Sequence, residues 1–173
     1  MNLKKVKFEN YINFAVKSLS GGAFLTVKNN NEVNTMTIGW GSFGLIWGKP
    51  ILMVMVRKSR YTYNLINDTD NFTVSIPEEN SLKDELKYCG TKSGRDVNKF
   101  KECNLSLIAS ENVNSPLIED AFLHFECEIL YKQNMDGKLL IKDFDEKWYP
   151  NNNYHTLYYG EILGCYLNNI IKE

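Results

Sequence analysis

The sequence predicts a mainly β protein with two or three short helices. Residues 51–56 are apolar at every position, and so short an apolar run without helical spacing is typical of a strand covered on both faces. Residues 123–131 alternate apolar and polar side chains, which is a strand pattern. Residues 71–76 form a further strand-like run that ends at Pro77. Strands are therefore the main predicted element.

The remaining strands follow from the same patterns. The other predicted strands are residues 22–28, 33–41, 139–144 and 156–167. The first two are expected to pair through Asn29-Asn30-Asn31, because asparagine tolerates the backbone conformations of tight turns. No internal repeat, low-complexity tract or domain boundary is evident. We therefore expect one domain over residues 1–173.

Three short helices are predicted, each starting at a polar residue whose side chain suits the N-cap position. The three residues are Ser59, Ser81 and Asp96. The helix after Ser81 is expected to reach about Tyr88, and the helix after Asp96 is expected to reach Phe100. These helices interrupt the strands in the middle of the chain.

The alternation over residues 123–131 also predicts which side chains are buried. The residues expected to face inward are Leu123, Phe125, Cys127, Ile129 and Tyr131, and those expected to face outward are His124, Glu126 and Glu128. His124 is therefore predicted to be a surface histidine.

Charge and cysteine content exclude several classes of protein. A formal net charge of −1 gives no general attraction to nucleic acid or to a membrane surface, so anion binding must be local. The N-terminus lacks an apolar signal region, and no apolar run approaches the length of a membrane helix. The four cysteines contain no Cys-x-x-Cys pair, so no metal site or redox dithiol is indicated. We expect reduced thiols in a cytoplasmic protein.

The stretch over residues 34–62 carries the main functional signal. In an extended segment, the small residues Thr35, Thr37, Gly39 and Gly41 share one face. A planar ligand can approach the backbone on such a face. Residues 57–62 then place hydroxyls and guanidinium groups at a predicted helix start, which favours an anion such as phosphate. The alternative is that Ser59 only caps the helix and that the cations of residues 57–60 are a solvated surface cluster.

Residues 39–44 match the motif G-x-G-x-x-G, which in other contexts binds dinucleotides. That motif functions between a strand and the start of a helix. Here Gly48 and Pro50 interrupt the following turns before another strand begins. We therefore expect a bend that carries aromatic residues rather than a dinucleotide site.

Four sequence blocks together resemble a known family. They are N-T-M-T at 34–37, R-K-S-R-Y-T at 57–62, C-G-T-K-S-G-R-D at 89–96 with Lys99-Phe100 following, and H-T-L-Y-Y-G-E-I at 155–162. In this order they resemble the flavin reductase-like family of FMN-binding split barrels, which includes the flavoredoxins. The resemblance implies a six-stranded antiparallel Greek-key split barrel, a homodimer, and FMN bound close to the dimer interface.

The resemblance also implies a cofactor site. By position in these blocks it comprises Asn34, Thr35, Met36, Thr37, Trp40, Arg57, Ser59, Arg60, Thr62, Cys89, Gly90, Ser93, Gly94 and Lys99. Residues 34–37 would hold the isoalloxazine edge, chiefly through backbone groups. Residues 59–62 would hold the phosphate, and the loop over residues 89–96 would enclose the cofactor. Trp40 lies either near the flavin ring or in the core. A nucleophilic role for Cys89 is less favoured than packing.

His155 heads the last block and is the implied catalytic residue. An imidazole there would orient a nicotinamide or donate a hydrogen bond to reduced flavin. The alternative is a hydrogen bond that only anchors the preceding loop. Where many members have a short Gly-Asp turn, this chain has Asn153-Tyr154 after an extended polar insert. Access to the flavin is therefore expected to differ.

These features predict an oxidoreductase in which NAD(P)H reduces FMN. The main alternative is a non-enzymatic FMN electron carrier of flavoredoxin type, whose partner is a redox protein. A third class, a barrel that has lost its flavin and serves as a binding module, is disfavoured by the intact residues of the anion site.

Overall fold

The structure is a computed structural model in which residues 3–168 are described. The strands of this range are β1 (Leu3–Lys5), β2 (Ala23–Asn29), β3 (Glu32–Ile38), β4 (Gly41–Ile46), β5 (Lys49–Arg57), β6 (Asn71–Ile76), β7 (Leu107–Ile108), β8 (Leu117–Ile118), β9 (Leu123–Asn134) and β10 (His155–Asn168). The α-helices are α1 (Ile12–Leu19), α2 (Tyr61–Asn67), α3 (Lys83–Thr91), α4 (Lys99–Glu102) and α5 (Lys142–Trp148). No helix within residues 3–168 has both the length and the apolar character that crossing a membrane requires.

Eight strands form one antiparallel sheet. Its order is β3-β2-β6-β9-β10-β5-β4, with β1 paired to β10, while β7 and β8 pair separately. This architecture confirms the predicted mainly β class with short helices. The described part of the sheet contains eight strands rather than six, and β1 and β4 are the two that the sequence did not predict.

Two hairpins lead to the site. The pair β2 and β3 is confirmed, and Asn30 adopts a φ of 52° in its turn. The expected bend at 39–44 is wrong, because Gly41–Ile46 forms β4 and pairs with β5. A Cβ atom at Gly41 would lie 2.8 Å from the carbonyl oxygen of Met53. Glycine therefore permits a close approach of the strands, and the glycine-rich stretch hides a strand pattern.

The first half of β9 is buried on both faces. The prediction that His124 and Glu126 face solvent is therefore wrong. Both are 0% exposed. The segment before β9 covers them: the backbone N–H groups of Glu111 and Asn112 donate to the Glu126 carboxylate at 2.8 and 2.9 Å. His124 Nδ1 lies 3.1 Å from the hydroxyl oxygen of Ser75. A covering loop without periodicity thus reverses the exposure that the alternation predicts.

A bulge accounts for a second difference in β9. Tyr131 was predicted to face inward but is 45% exposed. Tyr131 pairs with Tyr159, and Ile129 pairs with Gly160, so Leu130 is an extra residue in β9. One extra residue exchanges the two faces of a strand beyond it.

Ser59, Ser81 and Asp96 do not cap helices as predicted. The helix α2 starts after Arg60, and no side chain caps it. Ser81 donates its hydroxyl hydrogen to a backbone carbonyl in the turn before α3. Asn98 caps α4 by accepting a backbone N–H at 3.1 Å. Ser81 thus stabilises the turn before α3, and Asn98 rather than Asp96 caps α4.

The predicted strand at 139–144 is a 3-10 turn followed by α5. Leu139, Ile141 and Phe144 are 82%, 68% and 55% exposed, so their spacing does not reflect burial. They belong to residues 135–154, which join β9 to β10 outside the sheet. A helix satisfies its own backbone hydrogen bonds, which a segment outside the sheet requires. We refer to these residues as the 135–154 segment.

Candidate functional site

A cleft lies where β3, β5 and β10 end beside α2 and the loop after α3. One lobe has a volume of about 180 Å³ and is lined by Met36, Thr37, Ile38, Gly39, Trp40, Met55, Arg57, Arg60 and His155. A second lobe of about 140 Å³ shares Met36 and Arg60 and adds Asn34, Ser59, Thr62, Ser93, Gly94, Arg95 and Lys99. Ligand pockets usually reach at least ~300 Å³, so a cofactor-sized ligand would occupy both lobes.

The predicted cofactor residues converge on this cleft from four parts of the chain. Strand pairing places Arg57 directly opposite His155. The strand β3 supplies Asn34 and Met36, and the loop after α3 supplies Gly94. Only the fold brings these blocks together, since more than half the chain separates the first from the last.

Positive charge is uncompensated at the second lobe. Arg60, Arg95 and Lys99 line it, and none of them forms an ion pair within residues 3–168, where the ion pairs are Lys49–Glu161 and Lys142–Glu146. Arg60 donates to the carbonyl oxygen of Gly90 at 2.9 Å, and Arg95 to that of Ser59 at 3.4 Å. Carbonyl oxygens orient these cations without neutralising them, so the lobe suits an anion.

The hydroxyls predicted to bind phosphate already have partners. Thr62 is 1% exposed, and its hydroxyl oxygen accepts a hydrogen bond from the Asn34 amide at 2.8 Å. This bond ties the start of α2 to β3. The hydroxyl oxygen of Ser59 accepts from the amide of Asn153 at 2.8 Å. Both hydroxyls act as acceptors in these bonds, so each keeps its own hydrogen to donate, and Arg60 supplies the charge.

Arg57 lines the first lobe, but its guanidinium group is directed to the 135–154 segment. It donates to the carbonyl oxygens of Asn153 at 2.7 Å and Trp148 at 3.0 Å. Its central carbon lies 4.9 Å from the centre of the Tyr149 ring. The resemblance implies that Arg57 binds the cofactor; its side chain borders the first lobe, and its guanidinium group contacts the 135–154 segment.

Residues 34–37 alternate in their orientation. Asn34 and Met36 line the cleft. Thr35 is 0% exposed, its hydroxyl donates to the carbonyl oxygen of Leu25 at 3.2 Å, and its own carbonyl oxygen accepts from the Lys99 amine. Thr37 borders the first lobe, and its hydroxyl donates to the carbonyl oxygen of Leu86. The hydroxyls of Thr35 and Thr37 thus fix β3 against its neighbours.

Lys99 is a buried cation at the second lobe. It is 4% exposed, and its amine donates to the carbonyl oxygens of Thr35 and Cys89, each at 2.8 Å. Burial lowers the pKa of the Lys99 amine. An ammonium group carries three donors, so one N–H remains for a ligand after these two bonds.

Cys89 contributes a carbonyl oxygen rather than a thiol. Its side chain packs in a cluster with Phe24, Leu86, Leu105 and Ile118. Burial raises the pKa of the Cys89 thiol to about 12. A protonated, buried thiol is not a nucleophile, in agreement with the packing interpretation.

The loop after α3 approaches β3 closely. A Cβ atom at Gly94 would lie 2.1 Å from the Asn34 amide oxygen, so no larger residue fits there without displacing Asn34. A Cβ atom at Gly90 would lie 3.2 Å from the Cβ atom of Thr37. The Ser93 hydroxyl oxygen accepts from the backbone N–H of Arg95 at 3.2 Å, which shapes the loop.

His155 lies at the opposite end of the cleft from Lys99. It is 7% exposed, and its Nδ1 lies 2.8 Å from the hydroxyl oxygen of Tyr149. Burial, together with nearby Arg57 and Arg60, lowers the pKa of His155 to about 4. The imidazole is therefore neutral at pH 7 and carries no charge that would balance an anion.

Trp40 is 40% exposed and lines the first lobe, so it is not a core tryptophan. Its ring centre lies 5.5 Å from that of His155 and 5.0 Å from that of Trp148, which it meets edge to face. Aromatic surface is thus concentrated at the end of the cleft that lacks the buried lysine.

Sequence reasoning missed Tyr149, Trp148 and Arg95. The first two belong to a polar segment without periodicity, and the only local signal is two adjacent aromatic residues before Pro150. Arg95 forms no ion pair with a carboxylate within residues 3–168. Instead its guanidinium carbon lies 5.1 Å from the centre of the Tyr61 ring, which keeps its charge available at the cleft.

Comparisons with known proteins identify the family of the chain. The sequence profile of the Flavin reductase like domain matches residues 18–173. An uncharacterised protein of Archaeoglobus fulgidus is 32% identical over 140 residues, which covers 81% of this chain and 68% of that relative.

Solved structures show the same fold at low identity. The flavoredoxin of Methanosarcina acetivorans superposes with a TM-score of 0.65 at 24% identity, covering 86% of this chain and 68% of that one. An NADH:FAD oxidoreductase of Streptomyces globisporus gives 0.66 at 17% identity, covering 95% and 87%. These likenesses confirm the predicted split-barrel fold. The chain belongs to the flavin reductase-like domain family.

Proposed function

We propose that the protein binds FMN in this cleft and is an oxidoreductase of the NAD(P)H-dependent flavin reductase type. The observation that carries the proposal is the asymmetry of the cleft: Arg95 and Lys99 line one lobe without an ion pair, Trp40 and a neutral His155 line the other, and Arg60 borders both. FMN has the matching form, with a charged phosphate at one end and a planar ring at the other. Family membership supports the flavin class.

The residues present suit each part of FMN. Arg60 and Arg95 supply charge for the phosphate, and the Ser59 backbone holds Arg95 in place. The backbone of residues 34–37 and the remaining N–H of Lys99 face the middle of the cleft, where the ring edge would lie. Bound FMN would supply the redox chemistry by accepting a hydride. The protein supplies binding, orientation and exclusion of water.

His155 positions a proton at the ring end of the cleft. A thioether is a weak acceptor, so the Tyr149 hydroxyl hydrogen is better donated to Nδ1 of His155 than to the sulfur of Met135 at 3.5 Å. The ring hydrogen then resides on Nε2. In this tautomer His155 donates a hydrogen bond toward the first lobe while remaining neutral.

The second candidate function is an FMN electron carrier. Trp40 and Trp148 are half-exposed at the rim of the cleft, 40% and 39% respectively. An aromatic rim of this kind suits transfer of electrons to a redox protein that docks over the cofactor. Flavoredoxin is one of the fold neighbours, and this candidate requires no nicotinamide site.

A homodimer is part of the proposal. Leu45 and Trp47 on the β4–β5 hairpin are 75% and 62% exposed. The Trp47 ring centre lies 6.3 Å from that of Tyr131 on β9, which is also exposed. Exposed aromatic surface in a cluster marks an interaction site. Elution of the protein as a monomer at micromolar concentration would contradict the dimer.

Two measurements test the function. Titration of the purified protein with FMN and with riboflavin, followed by flavin fluorescence, should show tighter binding of FMN because the anion lobe contributes affinity. Equal affinities would refute the phosphate assignment. Anaerobic addition of NADH or NADPH to the FMN-loaded protein should then bleach the flavin absorbance. Binding of FMN without bleaching by either nucleotide would select the electron carrier.

A further inference from the structure

The 135–154 segment packs against the end of the cleft that contains His155. Three of its residues make the contacts: Trp148 packs edge-on against Trp40, Tyr149 meets His155, and the Asn153 amide donates to the Ser59 hydroxyl. All three contacts reach residues of the proposed FMN site. The segment therefore borders the face from which an electron donor would approach.

The rest of the segment is weakly attached. The helix α5 contains no buried residue, and its ion pair, Lys142–Glu146, lies within the helix. The Tyr154 hydroxyl donates to Asp145 at 2.8 Å, which is again a bond within the segment. Segments with little buried surface open at low free-energy cost.

Arg57 is the main link between the segment and the sheet. Its guanidinium group donates to two carbonyl oxygens of the segment and stacks on the Tyr149 ring. A planar guanidinium group holds two acceptors in a fixed geometry, which a single amine cannot do. Arg57 belongs to β5, which is hydrogen-bonded to both neighbouring strands. It therefore connects a weakly attached segment to a rigid one.

We propose that the 135–154 segment is a lid fastened by Arg57, and that Trp148 determines which electron donors reach the flavin face. This inference rests on the proposed FMN site. Trp148 together with Trp40 narrows the rim of the cleft, so a small reductant enters while a dinucleotide enters only when the lid opens. Arg57 is a positioning residue here, because its contacts are with the lid.

Hydrogen exchange of the cofactor-free protein tests the fastening independently of any flavin. In Arg57→Gln, the amides of residues 142–148 should exchange at least about tenfold faster than in the wild type, because the lid loses its main link. Arg57→Lys should behave similarly, since it keeps the charge but loses the paired geometry. Lys58→Gln is the matched control and should exchange at the wild-type rate. Unchanged protection of residues 71–76 would verify the fold.

Reduction of the FMN-loaded protein tests the role of Trp148. Stopped-flow rates would be compared for NADH and for dithionite, a small reductant. Trp148→Ala should raise the ratio of the NADH rate to the dithionite rate by at least about fivefold, because access to the cleft limits only the larger donor. Phe144→Ala removes an exposed aromatic side chain of the same helix that does not line the cleft, and it should leave the ratio unchanged.

The outcomes separate the lid from the proposed function. Equal exchange in wild type and both Arg57 variants would refute the fastening, whether or not FMN binds. A ratio that falls in Trp148→Ala would refute gating, because Trp148 would then form part of the donor-binding surface. Failure to bind FMN would refute the proposed function, while the exchange experiment would still decide the lid.

Discussion

Tyr149 and His155 are joined by a hydrogen bond of 2.8 Å between the phenol oxygen and Nδ1 of the imidazole. The bond connects the 135–154 segment to the first residue of β10. It fixes the orientation of the imidazole ring, and burial keeps the ring neutral by lowering its pKa to about 4. The same contact anchors a loop and, in the proposed function, orients the imidazole as a donor toward the flavin.

The first prediction concerns His155→Ala in the FMN-loaded protein. We expect flavin reduction by NADH or NADPH to slow by about 10- to 100-fold, at the low end of what a positioned donor supplies. FMN affinity should change little, because the anion lobe is at the other end of the cleft. Stopped-flow reduction isolates this step from product release. Reduction at the wild-type rate would remove His155 from the mechanism.

Tyr149→Phe serves as the control for that experiment. The phenyl ring preserves the packing against Arg57 but loses the bond to Nδ1. If the tautomer matters, the rate should fall by a smaller factor than in His155→Ala. An undiminished rate in Tyr149→Phe, with a slow His155→Ala variant, would show that the imidazole acts without help from Tyr149.

Arg60→Ala should weaken FMN binding by about 1.5–3 kcal/mol, the range for a hydrogen bond to a charged group. Riboflavin lacks the phosphate, so its affinity should remain at the wild-type value. Lys58→Ala is the matched control, because Lys58 is an exposed neighbouring cation that does not line the cleft. An unchanged FMN titration in Arg60→Ala would place Arg60 in a solvated cluster.

Gly94→Ala should disrupt the site from within. The added Cβ atom would lie 2.1 Å from the Asn34 amide oxygen and 2.8 Å from the Tyr61 ring. Asn34 would move and lose its bond to Thr62, so we expect a loss of about 1–3 kcal/mol in unfolding free energy together with weaker FMN binding.

Gly44→Ala controls for the change of residue type. Its Cβ atom would have nothing within 4 Å, and its stability should stay within about 0.5 kcal/mol of the wild type. Urea unfolding and flavin titration measure both variants. Equal unfolding free energies of Gly94→Ala and the wild type would show that the loop after α3 moves to accommodate the added Cβ atom at little cost.

The apolar and polar pattern of the sequence predicts a strand well where each face of the strand has one environment along its whole length. Residues 71–76 and 51–56 are correctly predicted as strands for this reason. The exposure of His124 differs from the prediction because the non-periodic segment before β9 covers it: Ile118 of that segment and His124 both contact the Ser75 hydroxyl. Such coverage leaves no trace in the alternation of β9.

The site likewise contains residues that a local sequence pattern predicts and residues that only tertiary packing brings in. Arg60 and Gly94 belong to compact sequence blocks whose chemistry is visible locally, and the fold brings them to one cleft. Tyr149 and Trp148 enter the site only because the 135–154 segment folds back onto Trp40 and His155. Contacts made by a long irregular connection depend on tertiary packing, so no local rule predicts them.

The last prediction concerns acid stability and the two histidines of the described residues. Burial lowers the pKa of both His124 and His155 from 6.5 to about 4. Above pH 6.5 both are neutral in the folded and the unfolded chain and have no effect. As the pH falls from 6.5 toward 4, the unfolded chain binds protons that the folded chain does not. Each histidine then lowers the unfolding free energy by about 1.4 kcal/mol per pH unit.

His124→Asn isolates one of these contributions, since an amide can keep a hydrogen bond to the Ser75 hydroxyl without titrating. Unfolding free energies from urea titration would be measured at several values between pH 7 and pH 4.5. Carboxylates contribute equally in both proteins, so the difference between the curves reports His124 alone. As the pH falls below 6.5, we expect the unfolding free energy of the wild type to decrease more steeply than that of His124→Asn. The difference in slope should approach that of one proton, about 1.4 kcal/mol per pH unit. Parallel curves would show that His124 takes up its proton in the folded state, and that its burial between β9 and the covering loop is readily opened to water.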